Sequence, residues 1–146
     1  MKKIELIKAQ ESDKDFLFRL RKLTMDEHLK NSRIHLSDEE HLSRVNFEYE
    51  NAYVLSLSAQ RVGMLKHIEK VHYIEIIQLQ ILPEYQGQGI GKSVLKDIIT
   101  EAKALGKSLK LKVLKENPAR YLYERSGFSI IGEDQYEFDM QLLYIK

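Results

Sequence analysis

A segment rich in glycine carries the densest chemical signal in the sequence. It covers residues 82–92 and joins an apolar stretch of strand character to a predicted helix, with Gly87, Gly89 and Gly91 at alternate positions. Glycine lets the backbone turn sharply and approach a ligand closely. The free amides and partial positive charge of a helix N-terminus bind anions. The segment therefore predicts a phosphate-binding turn, with a tight turn that holds no ligand as the alternative.

Two nucleotide-binding motifs match this segment only in part. Residues 91–93 supply the Gly-Lys-Ser ending of a Walker A loop, but position 86 is Gln where that motif requires Gly. A dinucleotide-binding fingerprint reads G-x-G-x-x-G, so its third glycine falls three positions after the second. Here Gly91 follows Gly89 by only two positions. A nucleotide-binding protein therefore stays the weaker interpretation.

A second motif follows one predicted helix and one predicted strand later. The glycine segment reads Q-x-x-G-x-G, and residues 117–128 contribute Asn117, Ala119, Tyr123, Gly127 and Phe128. The two motifs together, in this order and spacing, resemble the GNAT superfamily of acyl-CoA N-acyltransferases, in particular small single-domain N-acetyltransferases of bacterial type. The resemblance covers nearly the whole chain and is weakest over residues 30–51.

The resemblance implies a reaction, a cosubstrate and a set of binding residues. The reaction would move an acetyl group from acetyl-CoA directly to a primary amine of a small molecule, peptide or protein. A GNAT-fold protein that senses acyl-CoA without catalysis is the alternative. In the family, the glycine turn holds the pyrophosphate of coenzyme A, and pantetheine fills a gap beside the central strand. The cofactor-binding residues would be Leu79, Gln80, Ile81, Gln86, Gly87, Gln88, Gly89, Ile90, Gly91, Lys92, Ser93, Asn117 and Tyr123.

Glu75 is the candidate general base for the amine. It lies on the predicted central strand and shares a side with Tyr73, Ile77 and Leu79. Desolvation among apolar neighbours raises the pKa of a carboxyl group, toward the value that a base needs at neutral pH. Several GNAT members have a glutamate near this position as the base. A carboxylate paired with Lys or Arg, or facing solvent, is the alternative.

Tyr123 is the candidate general acid for the leaving thiolate. It matches the tyrosine that protonates the coenzyme A sulfur in the family, and its ordinary pKa of about 10 leaves it protonated at neutral pH. Helical phase places Tyr123 on the face of Ala119, four residues earlier, whereas Tyr121 is a nearby competitor. An aromatic ring that packs the helix onto the sheet is the alternative.

Two further residues have two interpretations each, and the sequence gives few signals for the residues that would bind the acceptor amine. Asn117 is a predicted helix N-cap and also matches an asparagine that often contacts coenzyme A in the family. Lys92 is either a phosphate ligand or a solvated lysine. In this fold four side chains would flank the acceptor cleft and could bind substrate: His28, Arg33, His35 and His41. The alternative is that they are ordinary exposed surface residues.

The elements that must position these residues follow from periodicity and capping. Capping boxes at 12–15 and 37–40 predict two helices. The first has Phe16, Leu17, Leu20 and Leu23 at helical spacing and ends near His28, and the second turns Leu42, Val45 and Tyr49 inward. An apolar stripe predicts a third helix from Ile90 to a Gly106 cap, and Asn117 opens a fourth. Strand patterns occupy residues 4–8, 53–57, 62–68, 72–82, 109–113, 128–131 and 136–143.

This order predicts an α/β (α+β) fold. The expected architecture is a mixed, mostly antiparallel sheet of about seven strands with helices on both faces, and this is also the GNAT order. The chain of 146 residues suits one domain, residues 1–146, without an internal boundary.

Composition excludes several classes of protein. Zero cysteines remove disulfides, thiolate zinc sites and a Cys-linked acyl-enzyme, which favours direct attack of the amine on the thioester. The 23 basic and 22 acidic residues argue against a nucleic-acid partner, and no motif suggests a metal. No apolar run suits a membrane span and residues 1–5 lack a signal-peptide core, so we expect a cytoplasmic protein without a membrane partner. Family habit adds a possible homodimer, through the edge of the last strands.

Overall fold

The computed structural model describes residues 3–144. Strands and helices alternate in the order that the sequence predicts. The strands are β1 (Ile4–Lys8), β2 (Ala52–Leu57), β3 (Gln60–Glu69), β4 (Tyr73–Ile81), β5 (Ser108–Leu114), β6 (Ser129–Glu133) and β7 (Glu137–Leu142). The helices are α1 (Lys14–Asn31), α2 (Asp38–Asn46), α3 (Ile90–Leu105) and α4 (Ala119–Arg125), with single 3-10 turns at Glu11–Asp13, Tyr49–Asn51 and Pro83–Tyr85.

All seven strands form one sheet in the order β1-β2-β3-β4-β5-β7-β6. Only β4 and β5 run parallel, because α3 carries the chain back across the sheet between them. Every other neighbouring pair is antiparallel. The predicted mixed, mostly antiparallel seven-stranded sheet is confirmed.

The helices cover both faces of the sheet, as predicted. Successive side chains of a strand point to opposite faces. On β2, Val54 packs in a cluster with residues of α1 and α2, whereas Leu55 packs in another with residues of α3 and with Tyr123 of α4. Met64 and Leu65 of β3 divide in the same way. Helices α1 and α2 therefore lie on one face, and α3 and α4 lie on the other.

The two capping predictions have different outcomes. At α2 the box is confirmed, since the Ser37 hydroxyl accepts from the Glu40 amide and the Glu40 carboxylate accepts from the Ser37 amide, both at 3.1 Å. The box placed at 12–15 is wrong. A 3-10 turn precedes α1, and the carboxylate of Asp13 accepts from the amide of Gln10 at 2.8 Å. Helix α1 also continues past His28 to Asn31.

Some apolar positions of the first two helices point away from the core. The sequence pattern places Leu23 and Leu42 inward, but 55% and 42% of their surfaces are exposed. The buried positions nearby are Arg21 and His41, which are 5% and 1% exposed. Polar side chains therefore occupy the inner faces of α1 and α2 at one place, where the core gives way to a cavity.

Between residues 3 and 144, no helix combines the length and the apolar character that crossing a bilayer requires.

Candidate active site

The cavity begins where β4 and β5 separate. Their parallel pairing starts at Tyr73 opposite Ser108 and ends at Ile76 opposite Leu111, although both strands continue, to Ile81 and to Leu114. A cavity of about 1100 Å³ opens there, lined by residues 76–81 of β4 and 111–114 of β5. Over residues 77–81, the edge of β4 that faces β5 has no strand partner in the described part of the chain.

A β-bulge coincides with this separation. In the pairing of β3 with β4, Lys66 lies opposite Gln78 and His67 opposite Ile76, so Ile77 is the extra residue. A bulge bends a strand and increases its local twist, which turns the rest of β4 away from β5. The extra residue also exchanges the faces of the sheet to which the following side chains point. Ile74 and Ile76 pack in the cluster that contains residues of α3. Without a bulge Leu82 would point to the same face, but it packs in the cluster that contains residues of α1.

The bulge corrects one sequence prediction. Leu79 and Ile81 pack against the cluster of Ile74 and Ile76, so Leu79 does not share the side of Glu75. Glu75 itself is half-buried in the paired part of the sheet, opposite Ile68 and Lys110, and lies outside the cavity lining. The structure does not bring it together with the other candidate residues, and its role as base stays a prediction.

The glycine turn has the conformation that its sequence indicates. Gly87 and Gly89 have φ of 78° and 81°, in the left-handed region that side-chain-bearing residues rarely adopt. Gly89 caps α3, and the first backbone bond of the helix runs from the Ser93 amide to its carbonyl at 3.0 Å. The amides of residues 90–92 have no acceptor among the described residues and belong to the cavity wall. Free amides at a helix N-terminus suit an anion, so the turn stays a predicted phosphate-binding feature.

Side chains of this turn hold its shape. The Gln86 amide group donates to the Ile81 carbonyl at 2.9 Å, which ties the turn to the end of β4. Gln88 donates to the Glu84 carbonyl at 3.3 Å. Most predicted cofactor-binding residues line the cavity, but Gln88 and Ser93 do not. The lining residues of the predicted set are Leu79, Gln80, Ile81, Gln86, Gly87, Gly89, Ile90, Gly91, Lys92, Asn117 and Tyr123.

Tyr123 stands in the cavity wall on α4. It is 6% exposed and makes an edge-to-face contact with Phe128, with ring centroids 5.8 Å apart. Burial raises the pKa of Tyr123 to about 12, so the phenol keeps its proton at any ordinary pH. The same shift moves it further from the pKa of a thiol, about 8.5. Tyr121, the competitor, is 48% exposed and lies outside the lining.

Asn117 has the capping role that its position predicts. Its side-chain oxygen accepts from the Ala119 amide at 2.9 Å, at the first residue of α4. The residue also lines the cavity, so capping and ligand contact are compatible.

Sequence reasoning missed most of the wall opposite the glycine turn. This wall comes from α1, α2 and the start of β7, and its lining residues are Arg21, Thr24, Met25, His28, Arg44, Phe47 and Glu137. Of the predicted acceptor-side residues, His28 lines the cavity, whereas Arg33, His35 and His41 do not. One local signal was available, since Arg21 falls four residues after Leu17 on the inward stripe of α1.

Glu137 is the one carboxylate of the lining within the described residues. It lies on β7 opposite Leu114, where β5 borders the cavity. Burial raises the pKa of Glu137, and the neighbouring Asp134 adds to the rise, whereas Lys112 and Arg44 oppose it. A carboxyl group with a raised pKa in a cavity wall suits proton transfer near neutral pH.

Lys66 fixes the position of α2 from the sheet below. Its side chain is fully buried, and the ammonium group donates to the backbone carbonyls of Arg44, Val45 and Phe47 at 3.0, 3.1 and 2.5 Å. These carbonyls end α2 and would otherwise lack donors. Burial lowers the pKa of Lys66 to about 8. One buried lysine thus holds the segment that carries Arg44 and Phe47 to the cavity.

We expect Lys66→Met to lower the free energy of unfolding by about 2 kcal/mol, since three buried carbonyls lose their donor and relief of the buried charge offsets only part of that cost. Denaturant unfolding measures the change. Lys70→Met, at an exposed position on the turn after β3, is the matched control and should change stability by no more than about 0.5 kcal/mol. Equal stabilities of the two variants would refute this role of Lys66.

Comparison with known proteins identifies the family. Residues 24–143 match the family described as Acetyltransferase (GNAT) domain. The chain is 44% identical over 55 residues to the [ribosomal protein bS18]-alanine N-acetyltransferase of Haemophilus influenzae, covering 37% of this chain and 38% of that protein. It is 30% identical over 99 residues to the spermidine N(1)-acetyltransferase of Escherichia coli K12, covering 64% and 53%. The matches thus span little more than half, or less, of these relatives.

The fold has a close counterpart among solved structures. The PaiA N-acetyltransferase of Thermoplasma acidophilum, solved in complex with coenzyme A, superposes with a TM-score of 0.76 at 20% identity, covering 97% of this chain and 99% of that one. This likeness confirms the predicted fold. With the match over most of its length, the chain belongs to the GNAT acetyltransferase family.

Proposed function

We propose that this protein is an N-acetyltransferase that moves an acetyl group from acetyl-CoA directly to a primary amine. The observation that carries the proposal is the cavity between the diverging ends of β4 and β5, with free helix amides at one end and Tyr123 in its wall. Membership of the GNAT family supports the same reaction. The relatives' named acceptors, a ribosomal protein alanine and spermidine, are properties of those proteins.

The residues present fit acetyl-CoA. The unpartnered edge of β4 over residues 77–81 offers backbone donors and acceptors to an extended amide chain such as pantetheine. The amides of residues 90–92 and the nearby Lys92 and Arg125 suit phosphate groups. When bound, acetyl-CoA supplies an activated thioester.

Three groups of this chain would perform the transfer. Glu137 accepts a proton from the acceptor ammonium and so leaves a nucleophilic amine. Backbone amides near Leu79 and Ile81 donate hydrogen bonds to the carbonyl oxygen as it gains negative charge. The amine nitrogen bonds to the carbonyl carbon and the carbon–sulfur bond breaks. Tyr123 donates a hydrogen bond, and then its proton, to the leaving sulfur, and its phenolate regains a proton from the nitrogen, which loses one as the amide forms. Glu137 replaces Glu75 in this proposal because Glu137 lines the cavity and Glu75 does not.

Thioester consumption tests the proposed activity. The purified chain is mixed with acetyl-CoA and a panel of amines, and release of free coenzyme A thiol is followed. Calorimetry with acetyl-CoA and with ATP runs beside it. Amine-dependent thiol release supports the transferase. Binding of acetyl-CoA without release for any amine favours the non-catalytic sensor, and binding of ATP alone would reject both.

Gly89→Ala tests the phosphate end of the site. Alanine at φ 81° costs about 1–2 kcal/mol, and the turn should relax away from the geometry that presents the amides of residues 90–92. We expect affinity for coenzyme A, measured by calorimetry, to fall about 10-fold. Gly132→Ala makes the same chemical change on β6, where φ is not positive and an added Cβ would lie 3.4 Å from the Asp139 carboxylate. Equal affinities in the two variants would contradict the assignment.

A homodimer and a cytoplasmic location stay predictions. Strand β6 forms one edge of the sheet, and Ile130 and Ile131 on it are 43% and 55% exposed. Exposed apolar side chains on an edge strand support pairing with a second copy.

A further inference from the structure

The charge of the cavity wall is strongly one-sided. Within the described residues, the lining contains one acidic side chain, Glu137, and five basic ones. One of the five, Lys112 on β5, lies 3.8 Å from a carboxylate oxygen of Asp139. Lys92 and Arg125 belong to the glycine turn and α4, where phosphates of coenzyme A would lie. Two arginines belong instead to the opposite wall, Arg21 on α1 and Arg44 on α2. Coenzyme A does not explain this second pair.

Arg21 is held in place by a buried polar chain. Its Nε donates to His41 Nδ1 at 3.2 Å, and His41 Nε2 lies 3.0 Å from a carboxylate oxygen of Asp26. Because Nδ1 accepts, the proton of a neutral His41 is on Nε2 and is donated to Asp26. Burial, together with the charge of Arg21, lowers the pKa of His41, which favours that neutral form. These hydrogen bonds fix the orientation of the Arg21 guanidinium group and leave its terminal NH₂ groups unused.

Neither arginine forms a direct ion pair in the described part of the chain. Asp26 acts on Arg21 only from beyond 4.0 Å, and Arg44, which is exposed, acts on Glu137 in the same way. Among residues 3–144, no carboxylate oxygen lies within 4.0 Å of Arg21 or Arg44, and the NH₂ groups of Arg21 make no hydrogen bond. Arg21 is only 5% exposed. Burial, and next the charge of Arg44, lower the pKa of Arg21 to about 10, and the charge of Asp26 opposes this fall only in part. Burying a cation beside a like charge is costly, and a carboxylate of a ligand in the cavity would supply the direct counter-charge that Asp26 does not.

We infer that the acceptor is an amine that also carries a carboxylate, bound by Arg21 and Arg44 while its ammonium group faces Glu137. Planar guanidinium groups match the two oxygens of a carboxylate. A polyamine brings only positive charge to this wall and would be repelled. The inference rests on the proposed function and narrows it to acceptors such as amino acids or peptides with an acidic residue near the N-terminus.

Matched acceptors test the inference with the whole chain. Free amino acids are compared with their carboxamides, an acidic dipeptide with its neutral counterpart, and both sets with spermidine and phosphoethanolamine. We expect the carboxylate forms to exceed their neutral counterparts at least about 10-fold in kcat/KM, since a hydrogen-bonded charge pair is lost in the latter. The amino acid and dipeptide arms identify the source of the carboxylate. Preference for spermidine, for neutral forms or for phosphoethanolamine would overturn the inference.

Arg44→Gln tests the wall itself. We expect the ratio of kcat/KM for the carboxylate acceptor to kcat/KM for its carboxamide to fall about 10- to 100-fold, mainly through a higher KM for the carboxylate acceptor. The affinity for acetyl-CoA should stay unchanged. Arg19→Gln, at an exposed position of α1 outside the lining, is the matched control and should change none of these. Arg21→Lys, checked for folding by circular dichroism, should act in the same direction as Arg44→Gln.

The two proposals fail in different ways. An unchanged ratio of the two kcat/KM values in Arg44→Gln, in a protein that still turns over amines, would reject the carboxylate site and leave the transferase intact. Binding of acetyl-CoA without turnover of any acceptor would reject the proposed function and the acceptor class with it.

Discussion

Replacing Tyr123 by phenylalanine is expected to lower kcat about 100-fold while affinity for coenzyme A stays within about twofold. The ring is 6% exposed and packs edge-to-face on Phe128, and phenylalanine keeps that packing. Only the hydroxyl group is lost, together with its ability to donate to the leaving sulfur. Steady-state kinetics and calorimetry with coenzyme A measure the two quantities.

The raised pKa of Tyr123 adds a condition to this result. With a pKa of about 12, the phenol stays protonated below about pH 11, so Tyr123 should produce no alkaline limb in the pH–rate profile. Tyr121→Phe, on the same helix but 48% exposed, is the matched control and should leave kcat unchanged. If Tyr123→Phe and the parent protein turn over equally across pH, the acid assignment is wrong.

Replacing Glu137 by glutamine is expected to lower kcat about 100-fold and to remove the acidic limb of kcat/KM. A carboxyl base works only when ionised. Because burial raises the pKa of Glu137, activity should fall as the pH drops through that raised value, above the ordinary value for glutamate. Glutamine is nearly isosteric and does not titrate, so the limb disappears. Protonation of the acceptor amine causes a separate fall in rate at higher pH, and that fall should remain in both proteins.

Glu75→Gln decides between the two carboxylates. The substitution is chemically the same, but Glu75 lies in the paired part of the sheet, outside the cavity. We expect it to keep the acidic limb and most of kcat. The reverse pattern, with the limb lost in Glu75→Gln and kept in Glu137→Gln, would restore the base that the sequence pattern favours and reject Glu137.

Interactions between residues close in the chain were enough to predict the order of the strands and helices and the residues of one wall of the cavity. The period of two in strands, the stripe of α3, the Ser37 box and the Asn117 cap are interactions between residues close in the chain. The glycine turn is likewise local, because positive φ at Gly87 and Gly89 is a property of one segment. The position of Tyr123 follows from helical phase over four residues.

The bulge at Ile77 is a feature that the sequence pattern did not predict. Strict alternation along β4 puts Glu75 and Leu79 on one side, but the pairing with β3 inserts one residue and exchanges the faces. A bulge depends on the register between two strands, which the pattern of either strand alone does not contain. The separation of β4 from β5, and so the cavity itself, depends on that register.

What the sequence determined by itself is the GNAT pattern, the conformation of the glycine turn and the candidate acid. What only the tertiary structure decided is the opposite wall, where Arg21, Arg44 and Glu137 meet from α1, α2 and β7. These residues are far apart in the chain. Arg44 and Glu137 look like ordinary surface charges in their own segments, and the inward position of Arg21 on α1 does not show what it faces. They face one cavity because the two helices cover the same side of the sheet and β7 inserts beside β5. That juxtaposition is a property of the packed sheet, and the proposed choice of acceptor depends on it.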